Sequence, residues 1–303
     1  MNLTPNTQLK LYGLDNYLLE LIKLFEKNNL PNKIILSGDK GSGKATMAYH
    51  LINHVLSYGE EFSYDKKKFT INDKNKSFKL ILNKSSPNFT LIDISENKRN
   101  IDINQIRTLI TNLNKSSFND KPRFVLIDNI EYLNVNAINA LLKIIEEPNP
   151  NIYFILIHNN KKILSTLLSR CLNFKISLSH EDSINISNFI TNKNIINEIN
   201  YELINYYFTP GNFYDLIKIS NDFEINLKSN NLKDFLKLLI NKNSYKKTIF
   251  VNNLLYSYIE LYLTVNKLYN LYSYFVRKIN ECKKYNLDDE SIYLEFKTKV
   301  LNG

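Results

Sequence analysis

The chain has 303 residues, a net charge of +9, 44% hydrophobic and 23% charged residues, and two cysteines. That length holds two or three domains with ample core, and the composition is that of a globular protein. Cys171 and Cys282 make neither a disulfide framework nor a four-ligand zinc site, and no apolar run reaches membrane-spanning length.

The N-terminus MNLTPNTQLK lacks an apolar signal region, and a reducing cytoplasmic setting with no membrane contact is expected. The positive charge points to an acidic partner, nucleic acid first. The lysines are dispersed, however, and Lys, Asn, Ile and Tyr are abundant throughout, as an AT-rich genome would produce.

Residues 14–25 carry Leu14, Leu18, Leu21, Ile22 and Phe25 on one side of a predicted helix, which Pro31 and Asn32 end. Ile34, Ile35 and Leu36 read as a buried strand. It runs into Gly38-Asp39-Lys40-Gly41-Ser42-Gly43-Lys44, and a helix follows to about Leu56. This fits the phosphate-binding pattern G-x-x-x-x-G-K in its required strand–loop–helix context. The glycines turn backbone N–H groups toward phosphate oxygens, and Lys44 reaches the outer phosphates. Only seven glycines occur in the chain, and three of them lie here. The next motif position should be Ser or Thr, whose hydroxyl ligates Mg²⁺, but it is Ala45. Thr46 has a hydroxyl one helical step away, turned by about 100° from the metal. Such a loop can cradle phosphate without one magnesium ligand.

Residues 59–90 are polar and lysine-rich, and are read as an insertion that forms a solvated loop without function. Leu91, Ile92, Asp93 and Ile94 predict a strand, and residues 102–113 a helix with Ile103, Ile106, Leu109, Ile110 and Leu113 inward. Residues 124–127 are a buried-type strand ending on Asp128. Asn134 can cap the next helix, whose apolar face holds Ala137, Ile138, Leu141, Leu142, Ile144 and Ile145 and which Pro148 and Pro150 stop. Residues 152–157 are another strand, ending on His158, Asn159 and Asn160. A short helix over 163–168 then delivers Ser169-Arg170-Cys171. Strand and helix in alternation predict an α/β fold with a parallel sheet, whose functional groups gather at the carboxyl ends of the strands.

After Ile176 the alternation stops, and the pattern is all-α. Residues 183–208 read as two short helices, and Thr209-Pro210-Gly211-Asn212 starts another. From about Leu227, apolar and tyrosine residues recur at three-to-four spacing, the pattern of a helix-bundle core. Lys242, Lys246, Lys247, Lys283 and Lys284 are read as solvated, and His50, His54, His158 and His180 as isolated.

The loop and Asp128 form a nucleotide-binding pair, the aspartate holding Mg²⁺ through its water shell. The residue after it, where many such ATPases place a water-orienting carboxylate, is Asn129. An extended strand end aims Glu131 to the wrong side. Arg170 has two readings on spacing alone. One is a local salt bridge with Glu146 or Glu147; the other is an arginine finger reaching a neighbour's bound triphosphate.

Several segments resemble a known family. They are residues 36–44, Ile101-Asp102-Ile103 with Ile106-Arg107, residues 125–128, Asn139-Ala140-Leu141-Leu142-Lys143 with Glu146-Glu147-Pro148, and Thr166 with Leu168-Ser169-Arg170-Cys171. Together they resemble the bacterial clamp-loader subunits of the AAA+ class, within them the delta-prime type of DNA polymerase III, over residues 9 to about 220.

The resemblance implies a RecA-like AAA+ domain (1–178), a small helical lid (179–224) and a helical collar that oligomerises (225–303). It implies a stator that helps set a sliding clamp on primed DNA. Its partners would be gamma/tau motor subunits and a delta subunit directly, with the clamp and primer–template DNA contacted indirectly. Arg170, flanked by Ser169 and Cys171, matches the residue that reaches the neighbouring motor subunit's ATP. His158 and Asn159 are sensor-like. Motor subunits carry Ser or Thr at Ala45, Glu at Asn129, and an arginine that touches the γ-phosphate where Tyr214 stands. The nucleotide site comprising Gly38, Gly41, Ser42, Gly43, Lys44, Ala45 and Thr46, with the degenerate Walker B pair Asp128 and Asn129, is therefore expected to have lost its own ATPase. No cofactor is expected beyond weak ATP or ADP binding, and no zinc. Two other readings stay open: a hydrolysing gamma/tau-type motor, and a stand-alone DNA-binding protein with a vestigial loop.

Overall fold

The computed structural model describes residues 4–95, 100–115, 119–146, 150–161, 165–205, 207–246, 249–285 and 287–302. Glu147, Pro148, Ile163, Leu164 and Lys247, which figure in the sequence reading, lie outside the described residues, as do the side chains of Lys283 and Lys284. The chain forms two compact units, 1–186 and 187–303.

The first unit is built on five parallel strands: β1 (Lys33–Ser37), β2 (Phe89–Ile92), β3 (Arg123–Ile127), β4 (Ile152–His158) and β5 (Leu172–Lys175). Their order across the sheet is β2-β3-β4-β1-β5. The inner strands are apolar on both faces because helices cover both. One face packs Ile34, Leu36, Leu126 and Ile155 against α1 (Asp15–Glu26) and α2 (Lys44–Leu56). The other packs Ile35, Val125, Ile127 and Leu156 against α4 (Ile103–Leu113) and α5 (Val135–Glu146), and α3 (Lys76–Leu82) lies between β1 and β2 in the chain.

Local chemistry ends these elements as the sequence suggests. Asp102 forms a capping box with Gln105 at α4, and the Asn134 side chain accepts from the Ala137 N–H at 2.8 Å. At the other end of α4, the Arg123 guanidinium donates to the carbonyls of Asn112, Leu113 and Lys115. It thereby satisfies acceptors that a helix terminus leaves open.

The segment 59–90 is not a solvated loop. It holds α3 and sends Tyr64, Ile71, Phe78 and Ile81 into the α1/α2 core. The polar side of α2 fastens it. Asn53 pairs with Asn75, which is fully buried, caps α3 at the Phe78 N–H (2.7 Å) and donates to the Phe62 carbonyl (2.8 Å). Ser57 accepts from the Tyr64 N–H, and His50 lies 3.0 Å from both the Tyr64 hydroxyl and the Gln8 carbonyl. His54 faces Glu26, which also binds Lys66. These two histidines are parts of a scaffold rather than isolated residues. Composition marked the segment as polar, but its polar side chains find partners on a helix distant in sequence.

After α6 (Ser165–Leu168), the helix α7 (His180–Thr191) crosses into the second unit. That unit contains α8 (Ile195–Glu198), α9 (Pro210–Phe223), α10 (Leu232–Asn241), α11 (Ile249–Val265), α12 (Tyr269–Tyr285) and α13 (Glu290–Phe296). Thr209 caps α9 with Pro210 in its first turn. Tyr245, Tyr256, Tyr258 and Tyr293 are core, as their spacing indicated, whereas Tyr269, Tyr272 and Tyr285 are exposed. Tyr258 is buried edge-on against Phe208 and Phe235 and donates to the Leu203 carbonyl at 2.8 Å. Tyr256 and Asn252 meet Asp289, and Tyr293 meets Asn252. Two of the lysines read as solvated are engaged: Lys242 donates to the Phe223 carbonyl at the end of α9, and Lys246 pairs with Glu290. Among the described residues, no helix is long and apolar enough to cross a membrane.

Asn75→Ala is expected to loosen 59–88 by about 2–3 kcal/mol, since it removes a cap and orphans Asn53. Hydrogen exchange should quicken for amides of α3 while those of β3 and β4 stay protected. Unchanged exchange in α3 would show that Asn75 is not the fastening.

Candidate functional site

The loop between β1 and α2 closes on its own lysine. The Lys44 ammonium is buried and donates to the carbonyls of Gly38 (2.9 Å) and Asp39 (2.6 Å) and to the Ser42 hydroxyl (3.3 Å). Gly41 and Gly43 take positive φ values of 84° and 90°, which side chains rarely adopt. Gly38 sits against β5: a Cβ there would come 2.2 Å from the Ile176 carbonyl oxygen. The Asp39 carboxylate accepts from the Asn160 amide at 2.8 Å, which clasps the loop to the end of β4. Ala45 packs half-buried against the α1/α2 core, and Thr46 is half-buried on the first turn of α2.

Asp128 follows β3 and is partly buried. Burial pushes its carboxyl up to about 6, with Asp93 adding to the rise; the Asn129 N–H and Lys44 oppose it. Burial likewise brings Lys44 down to about 8, against the pull of Asp128, Asp39 and Glu131. The two groups sense each other's charge at the carboxyl edge of the sheet.

One expectation is overturned here. Asn129 is left-handed, with φ 57° and ψ 49°, and a 3-10 turn over Ile130–Tyr132 follows it. The strand therefore does not continue extended, and Glu131 swings back to the pocket side. Its carboxylate accepts from the Asn159 side-chain amide (3.0 Å) and, more weakly, from the Asn159 N–H (3.4 Å). Asn159 also donates to the Asn129 side chain (3.0 Å), which donates to Asp93 (2.9 Å). A chain of four side chains, Asp93–Asn129–Asn159–Glu131, thus links the carboxyl ends of β2, β3 and β4. Asp93 and Glu131 were missed as site residues. The available signal was Asn129 itself, because asparagine is among the few residues that tolerate the left-handed region.

The remaining residues are placed differently. His158 ends β4, but its Nε2 lies 2.6 Å from the Lys161 carbonyl, and only its main-chain oxygen meets the loop, at Gly38 N–H. Of His158 and Asn159, it is Asn159 whose side chain joins the Asn129 and Glu131 cluster. Tyr214 lies on α9 in the second unit. Among the described residues, no cluster of three or more His, Cys, Asp or Glu side chains could hold a metal ion.

Ser169, Arg170 and Cys171 form the turn after α6, immediately before β5. Leu172 pairs with Ile34, so this turn sits at the amino edge of the sheet, while the loop leaves the carboxyl end of β1 after Ser37. The separation is four residues of strand, roughly 13 Å along the sheet. The Arg170 guanidinium is exposed and meets Glu146, with Nε and Nη2 at 2.9 and 2.8 Å from Oε1. The Ser169 hydroxyl donates to the Thr166 carbonyl. Cys171 packs on the α4/α5 core, where burial lifts its thiol to about 11.

Residues 14–180 match the family model described as DNA polymerase III, delta subunit. A DNA polymerase III subunit delta-prime of Buchnera aphidicola (from Schizaphis graminum) is 26% identical over 250 residues, covering 78% of this chain and 73% of that protein. A DNA polymerase III subunit gamma of the same organism is 30% identical over 193 residues, covering 62% of this chain and half of that protein. A solved gamma-subunit-related protein of Thermotoga maritima is 16% identical with a TM-score of 0.45, covering 92% of this chain and 96% of that one.

The raised Asp128 value has a consequence of definite sign. A carboxyl whose folded value exceeds its unfolded one, here about 6 against 3.8, binds extra proton in the folded state between the two, so folding weakens as pH rises through that window. Asp128→Asn should gain little over the parent at pH 3.5 and about 2–3 kcal/mol above pH 7. Urea unfolding at both pH values reads this; an equal gain at both would show that ionised Asp128 costs nothing.

Proposed function

Because the chain belongs to the DNA polymerase III delta-subunit family of clamp-loader proteins, we propose that it is the delta-prime-type stator of the loader, lending Arg170 in trans to a neighbouring motor subunit. Its partners in this reading are gamma/tau motor subunits and a delta subunit. The sliding clamp and primed DNA are reached through the assembly.

One observation carries the reading: Arg170 stands at the amino edge of a parallel sheet whose nucleotide loop opens at the carboxyl edge. A guanidinium there cannot serve its own loop, yet it is exposed, permanently charged and planar, as a contact to a neighbour's phosphates requires. The home pocket supports the same reading. Ala45 offers Mg²⁺ no hydroxyl, and Asn129 cannot act as a base.

A motor-type reading draws on one specific feature, the Glu131 carboxylate on the pocket side. It is spent on Asn159 and has no metal-ligating hydroxyl to work with, so the stator reading is preferred.

The purified chain is expected to hydrolyse ATP at background rate. In the reconstituted loader, Arg170→Ala should lower the ATPase by about 10³-fold, the scale of a lost arginine finger. A steady-state phosphate-release assay measures both. Brisk Mg²⁺-dependent release by the lone chain would favour the motor reading, and an undiminished rate in the Arg170→Ala complex would remove the finger role.

A further inference from the structure

We infer that Glu146 is the positioning residue for the Arg170 guanidinium, holding it by one edge so that the other is free for a phosphate; this rests on the finger reading of Arg170. A guanidinium has five N–H donors in a planar fork. Arg170 donates Nε–H to the single oxygen Oε1 of Glu146, with Nη2 2.8 Å from that same oxygen, and donates one Nη1–H to the Thr166 carbonyl at 3.0 Å. Both terminal nitrogens keep N–H groups without a hydrogen-bond partner among the described residues. The carboxylate thus takes the side edge of the fork and leaves donors at its tip, where bidentate contact with phosphate oxygens is made.

The placement is also electrostatically biased. Glu146 closes α5, where the helix dipole disfavours a carboxylate, and Arg170 follows α6, whose Thr166 carbonyl it caps. A cation is favoured at both helix ends, and Glu146 adds a full charge at the same spot. Two helices seated on the sheet therefore define where the guanidinium stands, although the arginine lies on a turn. Such ordering matters because a reacting contact loses rate steeply when misplaced by an ångström. An exposed ion pair contributes little to folding, so the role lies in aim rather than stability.

The test uses the reconstituted loader at saturating ATP with clamp and primed DNA. Glu146→Ala should lower kcat about tenfold while KM for ATP stays within about twofold. Glu146→Gln keeps an acceptor oxygen and should recover most of that loss. Glu146→Ala should have no further effect in an Arg170→Ala background, since the two act as one unit. A Glu146→Ala complex at or above the parental rate overturns the inference, as does an additive double variant. Loss of co-elution with the partner subunits would mark an assembly role and overturn it as well. If Arg170→Ala itself is silent, the finger reading has failed. If Arg170→Ala is crippled and Glu146→Ala is not, only the positioning role has failed.

Discussion

Everything of functional interest in the first unit depends on the parallel pairing of β1 with its two neighbours, β4 and β5. Parallel strands all present the same end on the same side. The loop after β1, the aspartate after β3 and the asparagines after β4 are therefore gathered at one edge, although more than 100 residues separate the first from the last. The same direction sends the turn before β5 to the opposite edge. A phosphate loop and an outward arginine on one small domain are then kept apart by the length of a strand.

The carboxyl edge concentrates charge in a small space. Asp93, Asp128 and Glu131 bring three carboxylates to a site with one buried ammonium. The charge is managed by hydrogen bonds rather than by a second cation. Asn129 and Asn159 stand between two of the carboxylates as neutral donors, and Asp128 takes the N–H of Asn129 at 2.8 Å. The Asn129 amide both donates and accepts in this cluster. It ties strand ends together without adding charge to a crowded corner.

The excursion over 59–90 follows a similar logic. A lysine-rich segment cannot bury enough apolar area to fold alone, but this one borrows a core from α1 and α2 and a row of polar partners from α2. The buried Asn53–Asn75 pair is satisfied on both sides, which is what allows amides at full burial. The lysines remain on the outside, where composition placed them.

The residues alone determined the alternation of elements, the glycine loop with its missing hydroxyl, the strand-end aspartate and asparagine, and the helical second half. All of these are encoded locally, in apolar periodicity, caps and glycine placement, over stretches of a dozen residues or fewer. The direction of Glu131 was not legible, because a single left-handed residue at Asn129 reverses an otherwise extended reading. The folded state of 59–90 was not legible either, since its partners lie on a helix distant in sequence. Spacing left Arg170 with a local pair or a neighbour's phosphate as its target. The tertiary structure supplies the pair with Glu146 and leaves N–H groups on the terminal nitrogens without a hydrogen-bond partner among the described residues, and it sets the turn at the far edge from its own loop. Those outcomes belong to the register of the sheet and the seating of helices on it, and no local window of sequence contains either.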